Sequence, residues 1–328
     1  MTVGMSPAPA TTPGASPDVR RRDVLSPSGP THVRLAVREY GVPADEASAH
    51  LVLLHGYPER QDIWLPVVAA LFAAQPDLHV VTYDYRGAGE SDRPVRAAEY
   101  VGDLLVDDLV AVLDATVPGG APVHLVGHDW GSVQLWDAIA AEATGDPRLA
   151  GRIASYTSIS GPPLDHLADV LRGRTGTLRT RLSQALHSWY VYLFLLPGLA
   201  EAGTGATAQR LGRPLAPRLD PTLTELAWGE QLASDARDAV KLYRANVLAR
   251  LRRPKQWTST VPVLLLLLRR DGFIVPASLD GLERRCPDLR RATLDSGHFL
   301  MSTRGAEVAE RVLDHVAYAT SRPTAPGA

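Results

Sequence analysis

The chain has 328 residues, 45% of them hydrophobic, and a formal net charge of −2. That is enough apolar material for one large α/β domain or two smaller ones, and the near-neutral balance excludes a nucleic acid or other polyanion as the expected partner. The single cysteine, Cys286, rules out an internal disulfide and fits a reducing cytoplasm, where the protein is expected to reside.

Residues 1–30 are rich in Pro, Ala, Ser and Thr, lack apolar periodicity and read as a disordered leader. Arg21-Arg22 faintly resembles a twin-arginine export signal. Ser26-Pro27-Ser28-Gly29-Pro30 stands where an apolar segment would be required, so export is not expected. Val33, Leu35, Val37 and Tyr40 begin a first strand. Compact apolar runs then follow at His50 to Leu54, ending in His55-Gly56-Tyr57-Pro58, and at His79 to Tyr83, ending in Asp84-Tyr85-Arg86-Gly87. Runs of this kind suit parallel strands covered on both faces. From Tyr100 to Leu113 the apolar residues repeat at helical spacing.

Pro122 to Gly127 is the next strand. It runs into Gly127-His128-Asp129-Trp130-Gly131 and then into an amphipathic helix carrying Val133, Trp136 and Ile139. This is the sharp strand-to-helix turn of a nucleophile elbow, with aspartate in the serine position. A carboxylate there displaces at an alkyl carbon and leaves an ester on the enzyme, whereas a serine would attack an acyl carbon. Ile153 to Ser160, Val261 to Leu268 and Leu289 to Leu294 read as further strands, and a helix from Ala306 to Thr320 closes the series. Strand and helix alternate except between Gly161 and about Lys255, where only helical patterns occur. An all-helical insertion after the sixth strand would sit as a lid over the carboxyl ends of the strands. The expected layout is a leader at 1–30, a core at 31–161 and 256–320, a helical cap at 162–255 and a tail at 321–328. The run Val263 to Leu268 is too short to span a bilayer, and no His, Asp or Glu cluster has the spacing of a metal site.

On His55-Gly56-Tyr57-Pro58, the aspartate elbow and the turn from Asp84 to Ser91, the chain resembles the α/β-hydrolase superfamily, and within it the epoxide hydrolases. The likeness runs over roughly residues 31 to 320 and implies an eight-stranded, mostly parallel sheet flanked by helices. Ile153 to Gly161 also resembles the hydrolase half of actinobacterial hydrolase–dehydrogenase fusions, although the chain ends before a dinucleotide-binding domain begins. The resemblance implies Asp129 as nucleophile and His298, in Ser296-Gly297-His298-Phe299, as general base. Asp271 is the orienting acid, with Asp165 as fallback; Asp295 is read as a loop residue. Two tyrosines from the lid, Tyr190 and Tyr243, would assist departure of the epoxide oxygen. The N–H groups of Tyr57 and Trp130 would form an oxyanion hole, and His55, Pro58, Phe273 and Phe299 would line the substrate pocket. The stripe Trp189 to Leu196 suggests apolar pocket walls.

The activity implied is hydration of a hydrophobic epoxide to a vicinal diol, with water as co-substrate and no cofactor. Two alternatives stay open: a haloalkane dehalogenase-like hydrolase, and a non-catalytic ligand-binding protein. A homodimer, or association with a separate dehydrogenase, is likewise left open by the residues.

Overall fold

Short runs of consecutive apolar residues must be covered on both sides, and here they become the strands of one sheet. The computed structural model describes residues 19–27, 32–196, 198, 220, 222 and 231–322. In chain order the strands are β1 (Val19–Ser26), β2 (Val33–Gly41), β3 (Ala49–Leu54), β4 (Leu78–Tyr83), β5 (Val123–His128), β6 (Ile153–Ile159), β7 (Val263–Leu268) and β8 (Leu289–Leu294). They lie in the order β1-β2-β4-β3-β5-β6-β7-β8. β2 runs antiparallel to β1 and β4, and the remaining pairings are parallel.

β1 corrects the expected leader. Val19 to Ser26 pairs with β2 along its whole length, from Val19 opposite Tyr40 to Ser26 opposite Val33. An edge strand needs its backbone satisfied on one side only, so few apolar residues suffice. Val24 is buried, while the charged residues find cross-strand partners, Arg22 with Glu39 at 3.1 Å and Asp23 with Arg34 at 2.9 Å. The sheet therefore begins at residue 19. Residues 1–18 and 28–30 of the expected leader, residue 31 of the expected core, and 323–328 of the expected tail lie outside the described residues.

The helices are α1 (Leu65–Ala74), α2 (Gly102–Thr116), α3 (Trp130–Ala143), α4 (Leu164–Leu171), α5 (Leu178–His187), α6 (Trp189–Phe194), α7 (Leu232–Arg252) and α8 (Gly305–Thr320). Two apolar layers sandwich the sheet. On one face Val67, Val68 and Leu71 of α1 join Val308, Val312 and Val316 of α8. On the other, Leu109 and Leu113 of α2 join Leu135, Trp136 and Ile139 of α3.

Helices α4 to α7 fall between β6 and β7, and the regular structure described from 162 to 255 is helical. Polar ties fix these helices above the loops that leave the strands. The Tyr57 hydroxyl donates to Ala236 O (3.1 Å), Gln184 Nε2 to Phe273 O (3.0 Å) and Asn246 Nδ2 to Tyr100 O (2.8 Å). Within the insertion, Arg244 Nε donates to Phe194 O (2.9 Å), binding α7 to α6.

Candidate active site

β5 ends at His128 and α3 starts at Trp130, so Asp129 alone makes the turn, with φ 49° and ψ −119°. A non-glycine residue pays roughly 1–3 kcal/mol for such a conformation and keeps it only where its surroundings dictate it. The two flanking glycines do so by letting chain segments touch. A Cβ on Gly131 would lie 2.2 Å from Leu54 O, and one on Gly127 2.7 Å from Ser132 Cα. The strain presents the carboxylate above the sheet, where it accepts the N–H of Tyr57 at 2.7 Å and that of Trp130. Burial pushes this carboxyl above its ordinary range, although His298, His128 and the two N–H groups pull the other way.

The loop after β8 carries His298. Its Nε2 stands 3.8 Å from Asp129 Oδ2, and its Nδ1 is 3.2 Å from Asp271 Oδ1. Asp271, on the loop after β7, also accepts the N–H groups of Phe273 (2.8 Å) and Ile274 (3.2 Å). Burial alone would raise Asp271, but His298, the Ser160 hydroxyl and the Phe273 N–H hold its carboxyl below the usual range. For His298, burial disfavours the charged ring, yet Asp271, Asp129 and Glu59 outweigh it and lift the imidazole to about 9.

Three residues that sequence reasoning passed over complete the frame. Ser160 follows β6 with φ 52°; its hydroxyl lies 2.8 Å from His298 Nδ1 and donates to Asp271. Glu59, next to Pro58, is fully buried against His128 (2.9 Å), while His128 Nε2 donates to the carbonyl of His298 (3.0 Å). Asp220 accepts the main-chain N–H of His298 at 2.6 Å. Only Glu59 had a legible signal, as a carboxylate inside a tight apolar loop motif.

Asp165, the fallback acid, is committed elsewhere. It accepts from Lys255 N (2.7 Å), Arg250 Nη1 (2.9 Å) and Trp257 Nε1 (2.9 Å), fastening α4 to the end of α7. Asp295 pairs with Arg270 at 3.3 Å on the surface. His55 is a correction: it is fully buried and lines neither cavity beside Asp129. Its ring stacks on Tyr85 at 4.4 Å and points Nε2 toward Asp84, because the close apolar packing beneath the loop leaves it no path outward.

Two cavities meet at Asp129, Tyr190 and Tyr243. One, of about 170 Å³, is walled by Tyr57, Pro58, Phe194, Phe273, His298 and Phe299. The other, of about 110 Å³, runs under α4, α5 and α7 past Trp130, Leu164, Leu167 and Val247. Burial and the charge of Asp129 push both Tyr190 and Tyr243 upward, so both phenols keep their protons and remain donors. The ring centroids of Tyr190 and Tyr243 are 6.1 Å apart, and Trp130 packs edge-on to Tyr243 at 4.8 Å. The stripe expected at Trp189 to Leu196 divides: Tyr190, Val191, Phe194 and Leu195 reach a cavity, Tyr192 touches one while largely exposed, and Trp189, Leu193 and Leu196 are exposed on the outside. Among the described residues no group of three or more His, Cys, Asp or Glu side chains is placed to hold a metal ion, and no helix is long and apolar enough to cross a membrane.

A parallel-centred sheet, a strained elbow and a histidine–carboxylate pair above the strand ends define an α/β hydrolase. The chain belongs to the alpha/beta hydrolase fold family, which matches residues 49–304. It is 33% identical over 298 residues to "Probable oxidoreductase EphD" of Mycobacterium tuberculosis, covering 85% of this chain and 46% of that protein. It is 34% identical over 190 residues to Epoxide hydrolase A of the same species, covering 58% of this chain and 53% of the other. The chain thus spans about half the length of these curated relatives. Among solved structures, Epoxide Hydrolase A from Mycobacterium thermoresistibile aligns with a TM-score of 0.72 at 23% identity, over 92% of this chain and 98% of that one. Bacillus megaterium epoxide hydrolase with a bound inhibitor aligns with a TM-score of 0.68 at 20% identity, over 91% of this chain and 100% of that one. At such identities these two likenesses speak to the fold.

Proposed function

We propose that the protein hydrates a hydrophobic epoxide to a vicinal diol through an ester on Asp129. The observation that carries this reading is the meeting of one strained carboxylate with two protonated phenols and a histidine. Asp129 attacks an epoxide carbon and the C–O bond breaks. The departing oxygen, a poor leaving group unaided, takes hydrogen bonds or a proton from Tyr190 and Tyr243. His298 then removes a proton from water, and the hydroxide attacks the ester carbonyl. The N–H groups of Tyr57 and Trp130, already on the Asp129 carboxylate, stabilise the oxyanion. Its collapse breaks the bond from the carboxyl carbon to the substrate oxygen, and the departing alkoxide takes the proton of the carboxyl so formed, releasing the diol and restoring the Asp129 carboxylate.

The charge state of His298 fits this order of events. Asp129 is one of the charges that lift its pKa to about 9. Ester formation removes that charge, so the ring more readily passes its proton to the tyrosine that has protonated the epoxide oxygen, and it is neutral at the step where it must accept one from water. Asp271 holds the ring's orientation and stabilises the imidazolium that forms.

In this reading α4 to α7 form the cap, and the apolar walls of both chambers select a hydrophobic epoxide such as a lipid, aryl or polyketide-derived one. Equal turnover of small polar epoxides would sink the substrate class. A dehalogenase fits less well because halide needs a second donor beside Trp130, and the Tyr57 hydroxyl is turned away toward Ala236 O. A pure ligand carrier has no use for an Asp129–His298–Asp271 constellation. The test is diol formation from a panel of aryl and alkyl epoxides by the wild type and by folded Asp129→Ala. Turnover that vanishes in the variant supports the reading, and turnover that survives rejects Asp129 as nucleophile.

A further inference from the structure

Helices α5 and α6 are apolar on two opposite sides. Inward, Ala185, Val191 and Leu195 line the chamber that runs under α4, α5 and α7. Outward, Leu178, Leu182 and Leu186 of α5, Trp189 and Leu193 of α6 and Leu196 just beyond it recur every three or four residues, across the break at Ser188. Each of the six is exposed, Leu186 to 73% and Trp189 to 63%. Single exposed apolar residues are unremarkable on any protein, but a row of six along two successive helices marks a contact surface.

The charge around the stripe says what kind of contact. Between Val170 and Leu196 the sequence has four arginines, Arg172, Arg174, Arg179 and Arg181, and no aspartate or glutamate, in a chain whose net charge is −2. The nearest acid before the segment, Asp169, is occupied by Arg174 and Arg285. Among the described residues neither Arg179 nor Arg181 meets a carboxylate. A leucine stripe with a tryptophan, edged by unneutralised arginines, is the composition of a helix that lies in the plane of a bilayer surface. A second copy of the chain fits poorly, because a symmetric contact would bring the same arginines together.

We infer that the outward face of α5 and α6 docks on an anionic lipid bilayer, placing the chamber behind it where a membrane-dissolved substrate can enter. The docking stands on the surface alone; only the identity of that substrate as an epoxide rests on the function proposed above.

The test is co-sedimentation of the full chain with vesicles of phosphatidylcholine alone and of equal parts phosphatidylcholine and phosphatidylglycerol. Binding is expected on the anionic vesicles, weakened by salt, with a blue shift of tryptophan fluorescence. Arg179→Gln and Arg181→Gln should each weaken partitioning about fivefold, and Leu182→Glu with Leu186→Glu should release the protein. Melting temperature checks folding of the variants without reference to activity, so failure of the epoxide chemistry leaves this test intact. No binding to anionic vesicles, or binding unchanged by these substitutions, overturns the inference. So does a dimer that Leu182→Glu with Leu186→Glu splits without any vesicle binding by the wild type, since a second copy then covers the stripe.

Discussion

Ser160 Oγ stands 2.8 Å from Nδ1 of His298 and also donates to Asp271, so a hydroxyl bridges the two members of the charge pair. Its backbone, at φ 52°, is turned into the left-handed region to put it there. The hydroxyl ties the ring to the carboxylate that orients it, which places its effect on the hydrolytic step. Ser160→Ala should lower kcat about tenfold, the worth of one such hydrogen bond, with KM little changed. The alkyl-enzyme ester should accumulate in rapid-quench measurements. Wild-type kinetics in the variant would reduce Ser160 to packing.

Asp271→Asn removes the charge that does most to hold His298 protonated. The histidine should titrate well below the wild-type ring, which the intact site lifts to about 9, as followed by NMR of the labelled ring in both proteins. Ester hydrolysis should slow by about 10⁴-fold, as when a triad carboxylate is neutralised, while ester formation proceeds. Stability shifts with pH in a defined direction. The folded pKa of about 9 lies above the ordinary value of about 6.5, so the stabilisation is complete below about 6.5 and is lost as pH rises through about 9. The denaturant midpoint of the wild type should fall across that window, and Asp271→Asn should flatten the fall.

Tyr190→Phe and Tyr243→Phe should each slow ester formation about 10²–10³-fold, less if the remaining phenol compensates, and the double variant should not form the ester at all. The readout is the rate of alkylation under single-turnover conditions. A defect confined to the later hydrolysis would assign the tyrosines to another step.

Asp165 separates structure from chemistry. Buried and hydrogen-bonded to Arg250, Lys255 and Trp257, it ties the inserted helices together. Asp165→Ala should cost about 1–3 kcal/mol of stability by leaving the donors of Lys255 and Trp257 without a partner, while Arg250 keeps Asp137 at 2.8 Å. At temperatures where the variant stays folded, its pH–rate profile should match the wild type. A shifted profile would mean that it acts on His298.

The strands flanking the site were legible because buried parallel strands leave uninterrupted apolar runs, and His50 to Leu54 and Leu289 to Leu294 differ from the observed bounds by one residue or none. β1 was not, since an edge strand written Val-Arg-Arg-Arg-Asp-Val is stabilised by pairing and ion pairs that only the partner strand reveals. The elbow announces itself because only glycines permit its contacts. Ser160 does not, because Ser-Gly after a strand is also an ordinary turn, and what distinguishes it is proximity to residues more than a hundred positions away. His55 shares its motif with Tyr57 and Pro58, and nothing local tells which side of the loop its ring takes.

The covalent ester on Asp129 is tested most directly by a single turnover in heavy-oxygen water, with enzyme in excess over epoxide. Water attacks the ester carbonyl in this account, so the label should enter the peptide containing Asp129 and be absent from the diol. Label in the diol with none in that peptide would mean that water attacks the epoxide itself, and would contradict it.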